Sequence, residues 1–283
     1  MIDTIRQQTG AGIRLVCRVL SLPRSSYYQA SRPTRSEIED EETGKRIEQI
    51  FHQHRRRYGY RRIHEELKDL EMGCGPARVR RIMKQRRLYC IQPKNYLPRT
   101  SDGRADYPSA NLLLDRDDPR RINEVWVGDI TYIPTSLGWR YLAVVMDLYS
   151  RRVVGWSLSG HLRADLVSDA LQQALRSRKS NQSLIFHSDR GSPYASRAFR
   201  NILRRAGITQ SMSRRANPYD NAWTESFIGT LKSEMIQDNR FIDEDDARSQ
   251  LFCFIDGYYN TQRKHSALGY LSPAKFEEFQ FQN

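Results

Sequence analysis

Residues 123–135, NEVWVGDITYIPT, place Val125, Val127, Asp129, Thr131 and Ile133 on one side of an extended chain, so that a carboxylate interrupts an otherwise apolar row. Asp is disfavoured in strands, and one that points inward needs a partner, for which a metal ion is the economical choice. Two further runs rich in β-branched and aromatic residues follow, WRYLAVVMDLYS at 139–150 and RRVVGWSLS at 151–159, separated by short turn signals. Three consecutive strands in a meander are the simplest interpretation. Residues 163–176 then repeat apolar side chains at Leu166, Val167, Ala170, Leu171 and Leu175, the spacing of a helix. SLIFHSD at 183–189 predicts a short buried strand, 193–206 a helix, 209–212 a last short strand, and a long C-terminal helix closes the order. The order β-β-β-α-β-α-β is the RNase H-like plan: an α/β fold with a mixed five-stranded sheet flanked by helices.

Upstream the pattern is helical. Residues 12–20, GIRLVCRVL, carry apolar side chains at helical spacing, and SLPRSSYYQA at 21–30 offers a break and a second short helix, which together read as a small helix-turn-helix. Residues 32–43 contain proline and then acidic residues, as a linker or the start of a solvated helix does. Ile47, Ile50 and Phe51 mark one helix, and Ile63, Leu67 and Leu70 another after YGYRR. In a third, 76–88, Val79, Ile82 and Met83 share a face while Arg78, Arg81, Lys84 and Arg86 lie largely elsewhere. Such a helix either clamps nucleic acid or presents a solvated face. The cluster Arg55, Arg56, Arg57, Arg61 and Arg62 with Tyr58 and Tyr60 favours DNA. His52, His54, His64, Cys74 and Cys90 fit no tetrahedral zinc spacing. The expected organisation is a helical DNA-binding region at 1–92, a linker at 93–122 rich in Pro, Asp and Arg, and a catalytic domain at 123–283 with a C-terminal helical extension.

Composition agrees with a polyanionic partner. The 283 residues carry a formal net charge of +13, and clustered Lys and Arg gain free energy by releasing counterions condensed on nucleic acid. Residues 1–120 hold 25 Lys and Arg against 16 Asp and Glu, and the remainder 21 against 17, so the excess lies toward the front. With no membrane-length apolar run, and an opening MIDTIRQQTG that lacks the profile of a secretory signal, the expectation is a cytoplasmic, nucleoid-associated protein without a membrane segment. The four cysteines form no CxxC pair and are expected as reduced thiols.

Two more carboxylates stand where elements end. Asp189 follows the strand SLIFHS and precedes Arg190 and Gly191; taken alone, it is also ordinary turn chemistry. Glu225 lies in PYDNAWTESFIGTLKSEM at 218–235, where Phe227, Ile228, Leu231 and Met235 form an apolar stripe and Asp220 can cap the helix. At 100° per residue Asn221, Glu225 and Lys232 fall along a neighbouring face. His187 is expected as a core residue turned to the face opposite Asp189, and Asp147 as structural. Arg214, Arg215, Arg263 and Lys264 either contact phosphates or are solvated, and Tyr219 and Trp223 either stack on a displaced base or pack.

Asp189 and Glu225 are separated by 35 residues, and GDITYI, VVMDLYSRRVVGW, HSDRGSPY, DNAWTESFIGTLKSE and YYNTQRKHSALGYLSPAKF resemble the catalytic OrfB chain of insertion-sequence-three-type transposases, within the DDE transposase and retroviral-integrase superfamily. RRRYGYRRIHEEL resembles the helix-turn-helix region that precedes the core in that family. The resemblance implies that Asp129, Asp189 and Glu225 hold two Mg²⁺ ions, with Mn²⁺ able to substitute, and that Lys232 lies near the DNA backbone. It implies cleavage and joining of double-stranded DNA at the element's terminal inverted repeats, insertion into target DNA, and a homo-oligomer in the synaptic complex. It also implies fusion, common in the family, with an upstream-frame protein supplying a leucine zipper, a heptad pattern that this chain lacks. The competing expectations are another RNase H-like nuclease and a non-catalytic DNA-binding regulator.

Overall fold

The computed structural model describes residues 2–30, 34–92, 109–114, 116–178, 183–214, 222–236 and 241–282. The chain divides into two compact units, Met1–Cys90 and Ile91–Asn283. The second unit is built on one sheet of β1 (Val125–Thr135), β2 (Gly138–Asp147), β3 (Val153–Ser159), β4 (Ile185–Ser188) and β5 (Thr209–Met212), in the order β3-β2-β1-β4-β5. Tight turns join β1, β2 and β3, which pair antiparallel; β4 and β5 pair parallel to β1 and to each other, and so need helical crossovers.

Helices α7 (Ala164–Ser177), α8 (Ser192–Ala195) and α9 (Arg197–Arg205) supply those crossovers. They bury Leu166, Leu171, Phe199 and Leu203 against Trp126, Ile130, Val145 and Phe186 of the sheet. Gly155 marks the closest approach of α7, since a Cβ there would stand 2.3 Å from the Ala170 carbonyl oxygen. The single helix expected at 193–206 is two, because the Ser196 hydroxyl accepts the Phe199 amide at 3.2 Å and begins α9 afresh.

The C-terminal helix is also broken. α10 (Ala222–Leu231) widens into a π-helical turn, Lys232–Ile236, and α11 (Glu244–Phe254), capped by Asp243, widens into a second, Ile255–Tyr259. α12 (Pro273–Gln282) follows, and its buried Glu277 joins Arg152 at 2.7 Å and Arg178 at 2.6 Å. These elements, together with α7, also close one rim of the sheet. Asn260 bonds both the amide (3.0 Å) and the carbonyl (2.9 Å) of Val153, Gln173 accepts the Trp156 amide at 2.6 Å, and Arg248 donates to the Leu158 carbonyl at 2.8 Å. Along β5 the Met212 amide donates to the Ala110 carbonyl at 3.2 Å, and Ser211 Oγ accepts the Leu112 amide at 2.9 Å.

The first unit is all helix: α1 (Ile2–Thr9), α2 (Ile13–Val19), α3 (Arg24–Ala30), α4 (Arg35–Gln53), α5 (Tyr60–Asp69) and α6 (Pro76–Gln85). Thr34 and Glu37 form a reciprocal capping box that starts α4, so the acidic stretch offered as linker or helix start is the front half of a 19-residue helix. Ile47, Ile50 and Phe51 of α4 are buried, as are Ile63 and Leu67 of α5 and Val79, Ile82 and Met83 of α6. Arg86 reaches back from α6 to Glu41 and Glu48, and crosses α4 at Gly44, where a Cβ would meet its Nε at 2.2 Å. Among the described residues no helix is long and apolar enough to cross a membrane.

Candidate active site

The register of the sheet brings the two aspartates side by side. Gly128 pairs with Ser188, the last residues before Asp129 and Asp189 respectively, so the two carboxylates leave neighbouring parallel strands at the same level. Trp126 and Ile130 point into the core under α7 and α9, which leaves Asp129 on the opposite side of β1. Asp129 Oδ1 accepts the Ile130 amide at 2.8 Å, and Asp189 Oδ1 accepts the Gly191 amide at 3.0 Å. Asp189 is therefore a turn residue and a site residue at once.

Burial, then the neighbouring Asp189, push the Asp129 carboxyl up to about 8, with Glu225 adding to the rise and the Ile130 amide and Lys232 opposing it. Asp129 nonetheless keeps some solvent access. Acids arranged so that one of them holds its proton at neutral pH gain strongly from a cation placed among them. Glu225 lies in the first turn of α10, exposed as a residue, its carboxyl raised by partial burial. Lys232 opens the π turn half-buried, lowered by desolvation and pulled back up by Asp129. All four side chains thus register in one electrostatic neighbourhood. As placed, no group of three or more His, Cys, Asp or Glu side chains among the described residues is close enough to hold a metal ion. Asn221 and Arg215, just ahead of α10, lie outside the described residues, as does Tyr219.

Other acids and bases near the strands have separate duties. Asp147 accepts the amides of Asn123 (2.7 Å), Tyr149 (3.0 Å) and Ser150 (3.0 Å), which spends its carboxylate on the β2–β3 turn, while burial raises it. The expectation that His187 faces away from Asp189 is corrected, because an interval of two in an extended chain returns to the same side. Its ring nitrogens are occupied by Ser211 Oγ at 2.8 Å and Ser213 Oγ at 3.1 Å, and it is fully buried. Arg263 and Lys264 are neither solvated nor on the surface: Arg263 is 5% exposed and holds Glu234 through its Nη2 at 2.6 Å and its Nε at 2.9 Å.

In the helical unit Arg55 and Arg56 are exposed just past the end of α4, in left-handed conformation at φ 50° and 63°. Arg57 and Arg62 are half-buried, Arg62 lying 5.5 Å from the centre of the Tyr58 ring, which in turn stacks on His54 at 3.8 Å. Arg61 and Arg80 flank Tyr60 at 5.6 and 5.8 Å. Arg78 and Arg81 are paired with Asp40 at 2.7 and 2.6 Å, so their charges are already engaged between α4 and α6, whereas Lys84 is exposed. Arg214 is exposed after β5. Sequence patterning passed over two features, the Glu234–Arg263 pair and Tyr194, whose buried hydroxyl has no hydrogen-bond partner among the described residues; neither carries a periodic signal.

Comparison with known proteins matches residues 119–218 and 206–273 to the Integrase core domain and residues 37–96 to the HTH-like domain. The chain is 39% identical over 248 residues to the transposase for insertion sequence element IS904 of Lactococcus lactis subsp. lactis (strain IL1403), covering 88% of this chain and 98% of that protein. It is 36% identical over 276 residues to transposase InsF for insertion sequence IS3A of Escherichia coli (strain K12), covering 96% of each. It is 38% identical over 265 residues to the insertion element IS600 uncharacterized 31 kDa protein of Shigella sonnei, covering 93% and 97%. Among solved structures, the HTLV-2 integrase catalytic core domain in complex with magnesium aligns at TM-score 0.42 and 17% identity, over 54% of this chain and 95% of that one. A simian T-cell lymphotropic virus intasome chain aligns at TM-score 0.45 and 18% identity, over 72% and 67%.

Proposed function

The chain belongs to the family of insertion-sequence transposases that includes the IS3 and IS904 proteins, and on that premise we propose that it binds the terminal inverted repeats of its element and carries out Mg²⁺-dependent strand cleavage and strand transfer at Asp129, Asp189 and Glu225. Membership makes it a transposase with an integrase core, a DDE polynucleotidyl transferase. The observation that carries the residue assignment is the pairing of Gly128 with Ser188, which sets Asp129 beside Asp189, together with the rise of Asp129 to about 8 among its acidic neighbours.

Hard carboxylate oxygens suit Mg²⁺, with Mn²⁺ as a substitute. Asp129 and Asp189 supply them from the sheet, and Glu225 completes the set from the start of α10 by an approach of that helix turn. Two such ions, once bound, favour formation of an oxygen nucleophile and stabilise a leaving 3′-oxygen. The chain's own part is to hold the carboxylates ionised and oriented and, through Lys232 and Asn221, to keep a backbone phosphate in line. In the first reaction a water oxygen forms a bond to phosphorus as the bond to a 3′-oxygen breaks, freeing a 3′-hydroxyl at the element end. In the second, that hydroxyl forms a bond to a target phosphorus and another 3′-oxygen departs. One ester is exchanged for another, so no external energy source is needed. Arg55, Arg56, Arg61 and Lys84, exposed on the helical unit, are the side chains best placed to hold the repeat by its phosphates, with Arg214 adding a contact near the site. Arg62, Arg78 and Arg81 support that surface from their ring and ion-pair contacts, and the half-buried Arg57 adds to its charge. Pairing of two DNA ends calls for a homo-oligomer.

Labelled DNA from the borders of the element, with Mg²⁺, separates the alternatives. A transposase nicks the 3′ end and joins it to target, another RNase H-like nuclease only hydrolyses, and a regulator only binds. Asp189→Asn is expected to bind the end DNA with wild-type affinity and lose both reactions; strand transfer retained in this variant refutes the assignment.

A further inference from the structure

Tyr194 sits in the short turn α8, five residues after Asp189, and is 2% exposed. Its ring packs against Phe186 and Phe199, at 6.1 and 5.4 Å between centroids. Its carbonyl accepts Gln210 Nε2 at 2.9 Å, which anchors the turn to β5. The ring then runs under β1 at Gly128, where a Cβ would lie 3.3 Å from Tyr194 Cε1 and 2.5 Å from Phe186 Cζ. The residue before Asp129 is glycine because these two rings occupy the space of its side chain.

At the end of this ring is a buried hydroxyl with no hydrogen-bond partner among the described residues. Such a group costs about 1–3 kcal/mol, and phenylalanine would fill the same space without that cost. The charged groups near enough to act on it are Asp129 and Asp189; with burial, the larger influence, they hold it well above the usual phenol range. It therefore stays protonated at neutral pH and is able to donate a hydrogen bond.

We propose that Tyr194 is a positioning residue for the metal site: when Asp129 serves as a metal ligand, the Tyr194 hydroxyl donates a hydrogen bond to that carboxylate and fixes its orientation. This rests on the metal-site assignment above and adds to it a residue outside the acidic triad. Carboxylate ligands held by an outer hydrogen bond characteristically lose about ten- to a hundred-fold in metal affinity when that bond is removed. The hydroxyl's role is separable from packing, because Tyr194→Phe keeps the ring.

The test uses the full chain, wild type, Tyr194→Phe and Asp189→Asn, without DNA. Melting is followed in EDTA and across Mg²⁺ and Mn²⁺ titrations, and Mn²⁺ affinity is measured by calorimetry. Tyr194→Phe is expected to melt at or above the wild-type temperature in EDTA, to bind Mn²⁺ about ten- to a hundred-fold more weakly, and to need correspondingly more Mg²⁺ for half-maximal strand transfer. A lower melting temperature in EDTA, or an unchanged Mn²⁺ affinity, overturns the proposal. Cation-induced stabilisation must be present in the wild type and absent in Asp189→Asn; if either control fails, the metal-site assignment falls and this inference with it. If both controls hold while Tyr194→Phe matches the wild type, the positioning role alone is wrong.

Discussion

Asp129 is harder to ionise in the folded chain than in the unfolded one. Its carboxyl is raised from the ordinary value of 3.8 to about 8, so between those values the native state holds a proton that the unfolded state has released. The contribution of Asp129 to the stability of the metal-free protein is then most favourable at and below about pH 4, falls as pH rises through this window, and is least favourable above about 8. Asp129→Asn removes the penalty. In EDTA it is expected to be more stable than wild type at pH 8, on the order of 2 kcal/mol after allowance for solvent screening, and nearly equal at pH 4. Urea unfolding at the two pH values checks this, and a variant no more stable at pH 8 would contradict the electrostatic picture of the site. The sequence singled out Asp129 because it breaks an apolar period-two row, and Asp189 and Glu225 because each falls where an element begins or ends; of these, the register sets the two aspartates side by side. Tyr194 was not singled out, since its relation to the aspartates exists only through the passage of its ring beneath Gly128. Arg263 was misjudged for the same kind of reason: its partner Glu234 lies 29 residues earlier.

Among the elements, the π turn Lys232–Ile236 binds site to scaffold. It holds both Lys232, which acts on Asp129, and Glu234, whose carboxylate is gripped by two nitrogens of Arg263. Removing one member of a buried, bidentate pair strands the other charge, at a cost of about 3–5 kcal/mol, whereas replacing both with apolar side chains recovers much of it. Arg263→Met is expected to lose stability by this amount in urea unfolding, and adding Glu234→Leu to restore most of it; a double variant no more stable than the single one would show that the pair is not the source. The five strands were readable from alternation and turn residues, and so was the first long helix of the core. The widened turns were not, because the stripe Phe227, Ile228, Leu231 and Met235 has the same spacing whether the backbone between its last members is α or π. The break at Ser196 rests on one hydroxyl, which local propensity alone does not distinguish from a helix interior.

For the whole molecule, the division at Cys90 and Ile91 separates a basic helical unit from the α/β unit that carries the carboxylates. Deleting residues 1–92 is expected to leave the α/β unit folded, to weaken binding to element-end DNA, and to flatten the dependence of log affinity on log salt by roughly 0.9 for each phosphate that the shortened chain no longer neutralises. Filter binding or fluorescence anisotropy at several salt concentrations measures both, and an unchanged slope would remove the helical unit from end recognition. Each rim of the central sheet is capped, Val153, Trp156 and Leu158 by side chains and β5 by residues near Ala110. Among the described residues, therefore, neither edge strand is left bare for a second copy to zip its own backbone onto, which also disfavours amyloid-like stacking. If protomers gather around paired DNA ends, as the proposed function requires, they meet through side-chain faces or through the nucleic acid itself, contacts that can form and dissolve without disturbing the β-ladder beneath Asp129 and Asp189.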